Sequence, residues 1–238
     1  MALHIRRLPI VFALFYFAVF SVFIVAAIVG NRAISVMTQS AQVENRHTIV
    51  IDAGHGGEDG GATSCTGILE SNINLEIALR LNDLMHLLGF DTVMVRTTDA
   101  AIHTQGNTIA ARKASDLKAR VQLANGTENG LLISIHQNYF TDERYSGAQV
   151  FFPKTAGSEW LAKSLQNELV AILNPGSNRK AKSASGIYLM EHISCTGVLI
   201  ECGFLSNHVE EAKLRSPDYQ KKLCCVIAST VGGFLLSQ

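Results

Sequence analysis

The chain has 238 residues and no net formal charge, because 20 Lys and Arg balance 20 Asp and Glu. That length supports one sizeable core plus appendages. The charge balance excludes a protein that holds nucleic acid through a basic excess, since no surplus of cations is available to neutralise phosphates.

The first predicted element is N-terminal. Leu8 to Gly30 carry no charge. At ~1.5 Å rise per residue, such a run spans a bilayer core of ~30 Å. His4, Arg6 and Arg7 precede it, which keeps the N-terminus in the cytoplasm and puts the rest of the chain outside. Length favours an uncleaved anchor over residues 1–31. A signal peptide is the rival, with Ala26 and Ala27 as a weak cleavage signal. Residues 32–46 are polar and aperiodic and read as a linker. Residues 47–238 read as a single catalytic domain. The five cysteines include no CxxC pair. An extracytoplasmic location permits disulfides, but spacing assigns none. Cys224 and Cys225 read as small buried hydrophobes.

From His47 onward, β-rich runs alternate with helical patterns. The runs are "TIVID" (48–52), "DTVMVR" (91–96), "LLISIH" (131–136), "AQVFF" (148–152), "IYLM" (187–190) and "VLIEC" (198–202). Several are almost continuously apolar, as strands covered on both faces must be. After Glu70, apolar residues recur at helical spacing from Leu75 to Leu88, with Ser71 as a predicted N-cap and Gly89 as a stop. Similar patterns cover 109–125, 159–173 and 218–236. The fold class that follows is α/β: a mostly parallel, twisted sheet of about six strands with helices on both faces.

Sites in open α/β sheets gather beyond the carboxyl ends of strands. His55 lies just past the first strand, His136 closes "LLISIH", and Glu201 sits near the end of "VLIEC". Glu70 joins them if the glycine loop between folds back. "IDAGHGGEDGGA" (51–62) packs five glycines around His55. It lacks the GxGxxG order and the GK[ST] ending of phosphate loops, and Glu58 and Asp59 would repel phosphate. Two histidines and a carboxylate instead form a catalytic zinc set. On spacing alone Glu58, Asp59 and Glu70 are near-equal candidates for the carboxylate. Glu201 suits the separate base that zinc hydrolysis needs, since a carboxylate behind Val198, Leu199 and Ile200 is costly to bury without a task or a partner. The rival for Glu201 is a structural ion pair. His86 reads as a surface residue, His103 as a loop residue and His208 as a helix start. His192 lies near the rim but reads as solvated. Cys202 is discounted as a nucleophile because the metal claims the histidines it would need.

The stretches "IDAGHGGEDGGA", "GILESNINLEIALRL", "RVQLAN", "LLISIHQN", "GAQVFF" and "VLIECGFLSNHVEEAKL" occur in order from Thr48 towards the C-terminus. Together they resemble the zinc-dependent N-acetylmuramoyl-L-alanine amidases of the amidase-3 type. "RKASDLKARVQLAN", "RKAKSASGIYLM" and "SPDYQKKL" resemble the germination-specific branch found in spore-forming bacteria. The resemblance implies zinc bound by His55, Glu70 and His136, with Glu201 as catalytic acid/base and Asp59 in an orienting or loop-shaping role. It implies a peptidoglycan substrate cut between the lactyl group of N-acetylmuramic acid and L-alanine. It also implies action on spore cortex, where muramic δ-lactam forms and germination depends on it. Gln137 and Tyr139 depart from the "SIHAN" pattern of many relatives, which touches substrate detail rather than the metal set. The family's cell-wall-binding repeats are missing, so membrane targeting is expected of the N-terminal segment, with the domain outside the cytoplasm, in the forespore membrane and cortex space. An accessory protein that aids metal retention has no signature. A zinc peptidase acting on stem peptides is the alternative of like chemistry. A silent wall-binding module is the alternative of a different class, and such a module has no need of Glu201.

Overall fold

The computed structural model describes residues 47–103 and 105–237. The anchor or signal over 1–31 and the linker over 32–46 lie outside the described residues. Among the described residues, no helix is long and apolar enough to cross a membrane.

A six-stranded sheet organises the domain in the order β2-β1-β3-β6-β4-β5. The strands are β1 (Thr48–Ala53), β2 (Asp91–Met94), β3 (Gly130–Asn138), β4 (Gln149–Phe152), β5 (Lys182–Ser183) and β6 (Thr196–Phe204). β2, β1, β3 and β6 are mutually parallel, whereas β4 runs antiparallel to β6. The helices are α1 (Glu70–Leu87), α2 (Ile109–Gly126), α3 (Ser158–Leu173), α4 (Tyr188–His192), α5 (His208–Leu214) and α6 (Pro217–Leu236).

Alternation along the strands divides the core into two clusters. Ile49, Ile51, Leu131, Ile133, Ile135, Val198 and Ile200 pack with Ile77 and Leu81 of α1, Leu165 of α3 and Ile227 of α6. The intervening residues Val50, Leu132 and Leu199 turn the other way, to Ala124 of α2 and to Leu189 and Met190 of α4. Both faces are therefore covered, which accounts for the nearly unbroken apolar runs. Full burial of each such side chain is worth about 1.5–3 kcal/mol.

Three local expectations are corrected. "IYLM" is not a strand: Tyr188–His192 form a helix. Short apolar runs do not distinguish the two by period, and here Leu189 and Met190 are needed as a lid on the second cluster,. The edge strand is instead the exposed pair Lys182–Ser183. Ser71 is not the N-cap of α1. Leu69 holds that position without a side-chain bond, and Ser71 lies inside the helix. The amides a cap would serve are met by the glycine loop, Glu70 N–H donating to the Ala62 carbonyl and Ser71 N–H to that of Gly60,. The loop thus folds back onto the helix start. Cys224 is buried as expected, but Cys225 is exposed.

The other end of α1 follows expectation. Gly89 sits at φ 83. Its N–H reaches the His86 carbonyl and Phe90 N–H reaches that of Met85, each at 3.0 Å, the paired bonds of a Schellman stop,. Any β-carbon at Gly89 enters a left-handed conformation that L side chains disfavour. Gly89→Ala should therefore lower stability by about 1 kcal/mol, read as a reduced urea midpoint at unchanged slope.

Candidate active site

The chain leaves β1 for β2 on one side, and β3 then joins β1 on the other. This reversal opens a crevice at the carboxyl ends of β1 and β3. His55 lies just beyond β1 and His136 near the end of β3. Glu201 of β6 is the register partner of His136, so the two side chains leave the sheet on one face,. Glu70, first residue of α1, is carried into the same space by the folded-back loop.

His55, Glu70 and His136 offer ligand atoms all within 4.8 Å of one another. Glu70 stands between the two rings, with Oε2 at 3.3 Å from His55 Nε2 and Oε1 at 3.0 Å from His136 Nδ1. The rings meet edge to face at 4.9 Å between centroids. Glu70 is further fixed by donors from three elements: Ala62 N–H at 3.0 Å, Gln137 N–H at 3.0 Å and the Asn74 amide at 3.2 Å. The Asn74 amide also donates to the Gly54 carbonyl, and Asn74 Oδ1 accepts from Gln137 Nε2. His55 Nδ1 pairs with Asp59 at 2.9 Å. Such an outer carboxylate fixes the ring and leaves Nε2 as the donor atom.

Glycines make room for this packing. A β-carbon on Gly54 would lie 2.2 Å from His136 Nε2. One on Gly61, at φ +69, would lie 2.6 Å from Glu70 Oε2. The glycines of the loop are thus contact points for the cluster rather than a cradle for phosphate.

The two glutamates are tuned in opposite directions. Burial alone would raise the Glu70 carboxyl, but the two histidines prevail and hold it well below the usual carboxylate range. His55 is raised, since Glu70 and Asp59 outweigh the effect of its burial. Burial pushes Glu201 up to about 7, with His136 pulling against this and the Glu70 charge adding to it. Glu201 Oε2 is buried and has no hydrogen-bond partner. A structural ion pair for Glu201 is therefore not what the described residues contain. Two imidazoles, one ionised carboxylate and an unpartnered acid suit a divalent cation.

The remaining candidates fall away from this cluster. Glu58 is an exposed partner of Arg112 at 2.7 Å, and Asp59 pairs with Lys113 at 3.0 Å besides His55. His86 is exposed against Thr92, and His192 is exposed and stacked on Tyr188. His103 lines a cavity beside the site with Arg112 and Lys113. His208 opens α5, as expected. Cys202 points into the core, and burial drives its thiol well above its ordinary value, so it supplies no nucleophile,. Gln137, read from the sequence as a matter of substrate detail, instead supports the cluster through Glu70 and Asn74, and the sequence reading does not include Asn74, Asp52, Arg96 or Arg120. Arg96 and Arg120 could have been suspected, as charges closing an apolar strand and interrupting an apolar helix face.

The fold and site define a class. The chain belongs to the N-acetylmuramoyl-L-alanine amidase family, whose profile matches residues 49–232, and it is by that membership a peptidoglycan amidase. Its similarity is marked to the germination-specific N-acetylmuramoyl-L-alanine amidase of Bacillus subtilis strain 168, at 42% identity over 75% of this chain and 76% of that one. Among solved structures, the CwlD amidase of Clostridioides difficile, in complex with the GerS lipoprotein, superposes with a TM-score of 0.77 at 34% identity. That match covers 81% of this chain and 100% of the other. An N-acetylmuramoyl-L-alanine amidase of Clostridium difficile 630 gives 0.70 at 31% identity, covering 82% and 99%.

Two outcomes follow from the geometry. Gly54→Ala should push the His136 ring aside and weaken any divalent-cation binding at the cluster by roughly tenfold or more,, measured by chelator competition, while circular dichroism stays that of the folded protein. A carboxyl whose value is raised on folding favours the fold only while protonated. Stability of the metal-free protein should therefore fall as pH rises from about 4.3, the unfolded value, towards about 7,. Glu201→Gln should raise the metal-free melting temperature by roughly 2–6 °C at pH 8 and hardly at all at pH 4.

Proposed function

We propose that the protein is a zinc hydrolase that cuts the amide between the lactyl group of N-acetylmuramic acid and L-alanine in peptidoglycan. The observation that carries this is the convergence of His55, Glu70 and His136 beside Glu201, whose Oε2 is buried without a partner. His55, Glu70 and His136 would hold the metal. Bound there, zinc would supply Lewis acidity for the lactyl carbonyl and a water of lowered pKa.

The chain's own groups do the rest. Asp59 keeps the His55 ring oriented, and Asn74 and the Gln137 amide keep Glu70 oriented. Glu201 takes a proton from the attacking water as its oxygen bonds to the lactyl carbon. It returns that proton to the L-alanine nitrogen as the carbon–nitrogen bond breaks. A carboxyl with a value near neutrality is suited to both steps.

The similarity to a germination-specific amidase supports a narrower role. In that role the enzyme strips stem peptides from spore cortex, so that muramic δ-lactam can form and germination proceed. The site of action is outside the cytoplasm, in the forespore membrane and cortex space, with residues 1–31 as membrane anchor or signal and 32–46 as linker. The relative solved with a lipoprotein supports an accessory protein partner of the same kind.

Incubation with purified peptidoglycan, with and without chelator, followed by mass analysis of products, tests the activity. Peptide-free muramyl glycan released only without chelator is the expected result. Cleavage between amino acids would instead mark a zinc peptidase of stem peptides. Glu201→Gln should keep zinc at full stoichiometry and lose at least about 100-fold in turnover. Glu70→Ala should lose the metal, and full zinc content in that variant would redirect the carboxylate ligand to Asp59.

A further inference from the structure

Two buried arginines have no part in the chemistry above. Arg96 and Arg120 are 4% and 3% exposed. Between them they grip the carbonyls of three consecutive residues, Ala53, Gly54 and His55. Arg120 donates through Nη1 to Ala53 at 3.0 Å and through Nη2 to His55 at 2.8 Å. Arg96 donates through Nε to Ala53 at 2.8 Å and through Nη2 to Gly54 at 2.9 Å. Its Nη2 also reaches the Ser71 carbonyl at 2.8 Å, which ties the loop to the start of α1.

These carbonyls belong to the turn that carries His55. That residue sits at φ 60, followed by Gly56 at φ 132 and Gly57 at φ 60. A left-handed conformation at a residue with a β-carbon persists only where its surroundings impose it. Asp59 steers the His55 ring, but the backbone beneath is held by the two guanidinium groups. The charge of Arg120 is balanced locally. Arg120 also pairs with Asp52 and, at 2.6 Å, with Asp116. Asp52 is in turn fixed by the Ser134 hydroxyl at 2.7 Å.

We propose that Arg120 and Arg96 are positioning residues that lock the His55 turn in its left-handed form and so preset the imidazole for metal binding. The proposal rests on the reading of His55, Glu70 and His136 as the metal ligands. A guanidinium serves here because its planar fork offers five N–H donors in fixed directions. A lysine ammonium offers three from a single atom and cannot span Asp52, Asp116 and two carbonyls at once.

The test is zinc affinity of the full chain in detergent, by competition with a chromogenic chelator. Arg120→Lys and Arg96→Lys are each measured alone and in a His55→Ala background, with circular dichroism of the metal-free protein as the fold control. Each lysine variant should weaken zinc roughly 10–100-fold alone. Beyond the loss caused by His55→Ala, each should add less than about twofold, because the two changes act through one group. Cobalt-loaded lysine variants should also show a shifted visible absorption band, which a distant loss of stability would leave in place. Unchanged affinity in both lysine variants overturns the proposal. So does equal weakening in the two backgrounds, which marks a general effect on the fold. If Arg120→Lys does not fold, Arg96→Lys decides, since it strands no buried carboxylate. Undiminished zinc binding by His55→Ala alone would refute the ligand reading, and the proposal with it.

Discussion

The Glu70 carboxylate is the interaction on which the site depends. It sits 4% exposed between two imidazoles, at a depth where an ionised acid without partners would not be tolerated,. Its partners come from separate parts of the chain: Ala62 of the glycine loop, Asn74 of its own helix, and His136 and Gln137 of β3. Satisfying this one charge therefore joins loop, helix and sheet. The same oxygens that tie these elements together are the ones that face the histidine nitrogens. Structural cohesion of the loop and readiness for a cation are in this sense one property.

The glycine loop is shaped by that requirement. A strand cannot deliver His55 to Glu70 by continuing straight, so the chain turns at once through left-handed conformations at His55, Gly56 and Gly57. Glycine removes the steric penalty at two of these positions. At His55 the side chain is needed, and the backbone there is held by the Arg120 bond to its carbonyl. Further on, the space that Gly54 and Gly61 leave empty is taken up by His136, His55 and Glu70. Five glycines in twelve residues reflect close approach by functional side chains as much as turning.

Much of this was legible from residue order, and the failures are physically specific. Burial of both faces shows in "TIVID" and "LLISIH", so the parallel strands and the rim they define could be read directly. His136 and Glu201 could be placed because each stands at the end of an apolar run. The run "IYLM" misled because its apolar residues cover a sheet instead of joining one, and a run of that length has no period to separate the two states. The carboxylate proposed as metal ligand resists spacing arguments for another reason. Asp59 is closer to His55 in sequence and does touch its ring, but on Nδ1, the side turned away from the cluster. Only the reversal of the loop brings Glu70 to Nε2, and nothing in the spacing encodes that reversal. The buried arginines stand out in the sequence only as charges in apolar surroundings, and their task stays hidden because their partners are mostly backbone carbonyls, which leave no mark on residue type.

The division of labour proposed for Glu70 and Glu201 follows from their surroundings, not from their chemistry. Glu70 is buried with donors on both oxygens, so its ionised form prevails. Glu201 is half-buried beside that negative charge, with Oε2 buried and unpartnered, so its protonated form is favoured up to about 7. Exchanging their surroundings would exchange their roles. The acid that is always ionised is suited to hold a cation, and the acid poised near neutrality is suited to carry a proton. A metal-free fold holding both carries an electrostatic cost at neutral pH, because Glu201 ionises against its burial and, to a smaller extent, against the charge of Glu70. A dication held by His55, Glu70 and His136, as proposed, would offset that cost and so couple metal binding to the protonation of Glu201,.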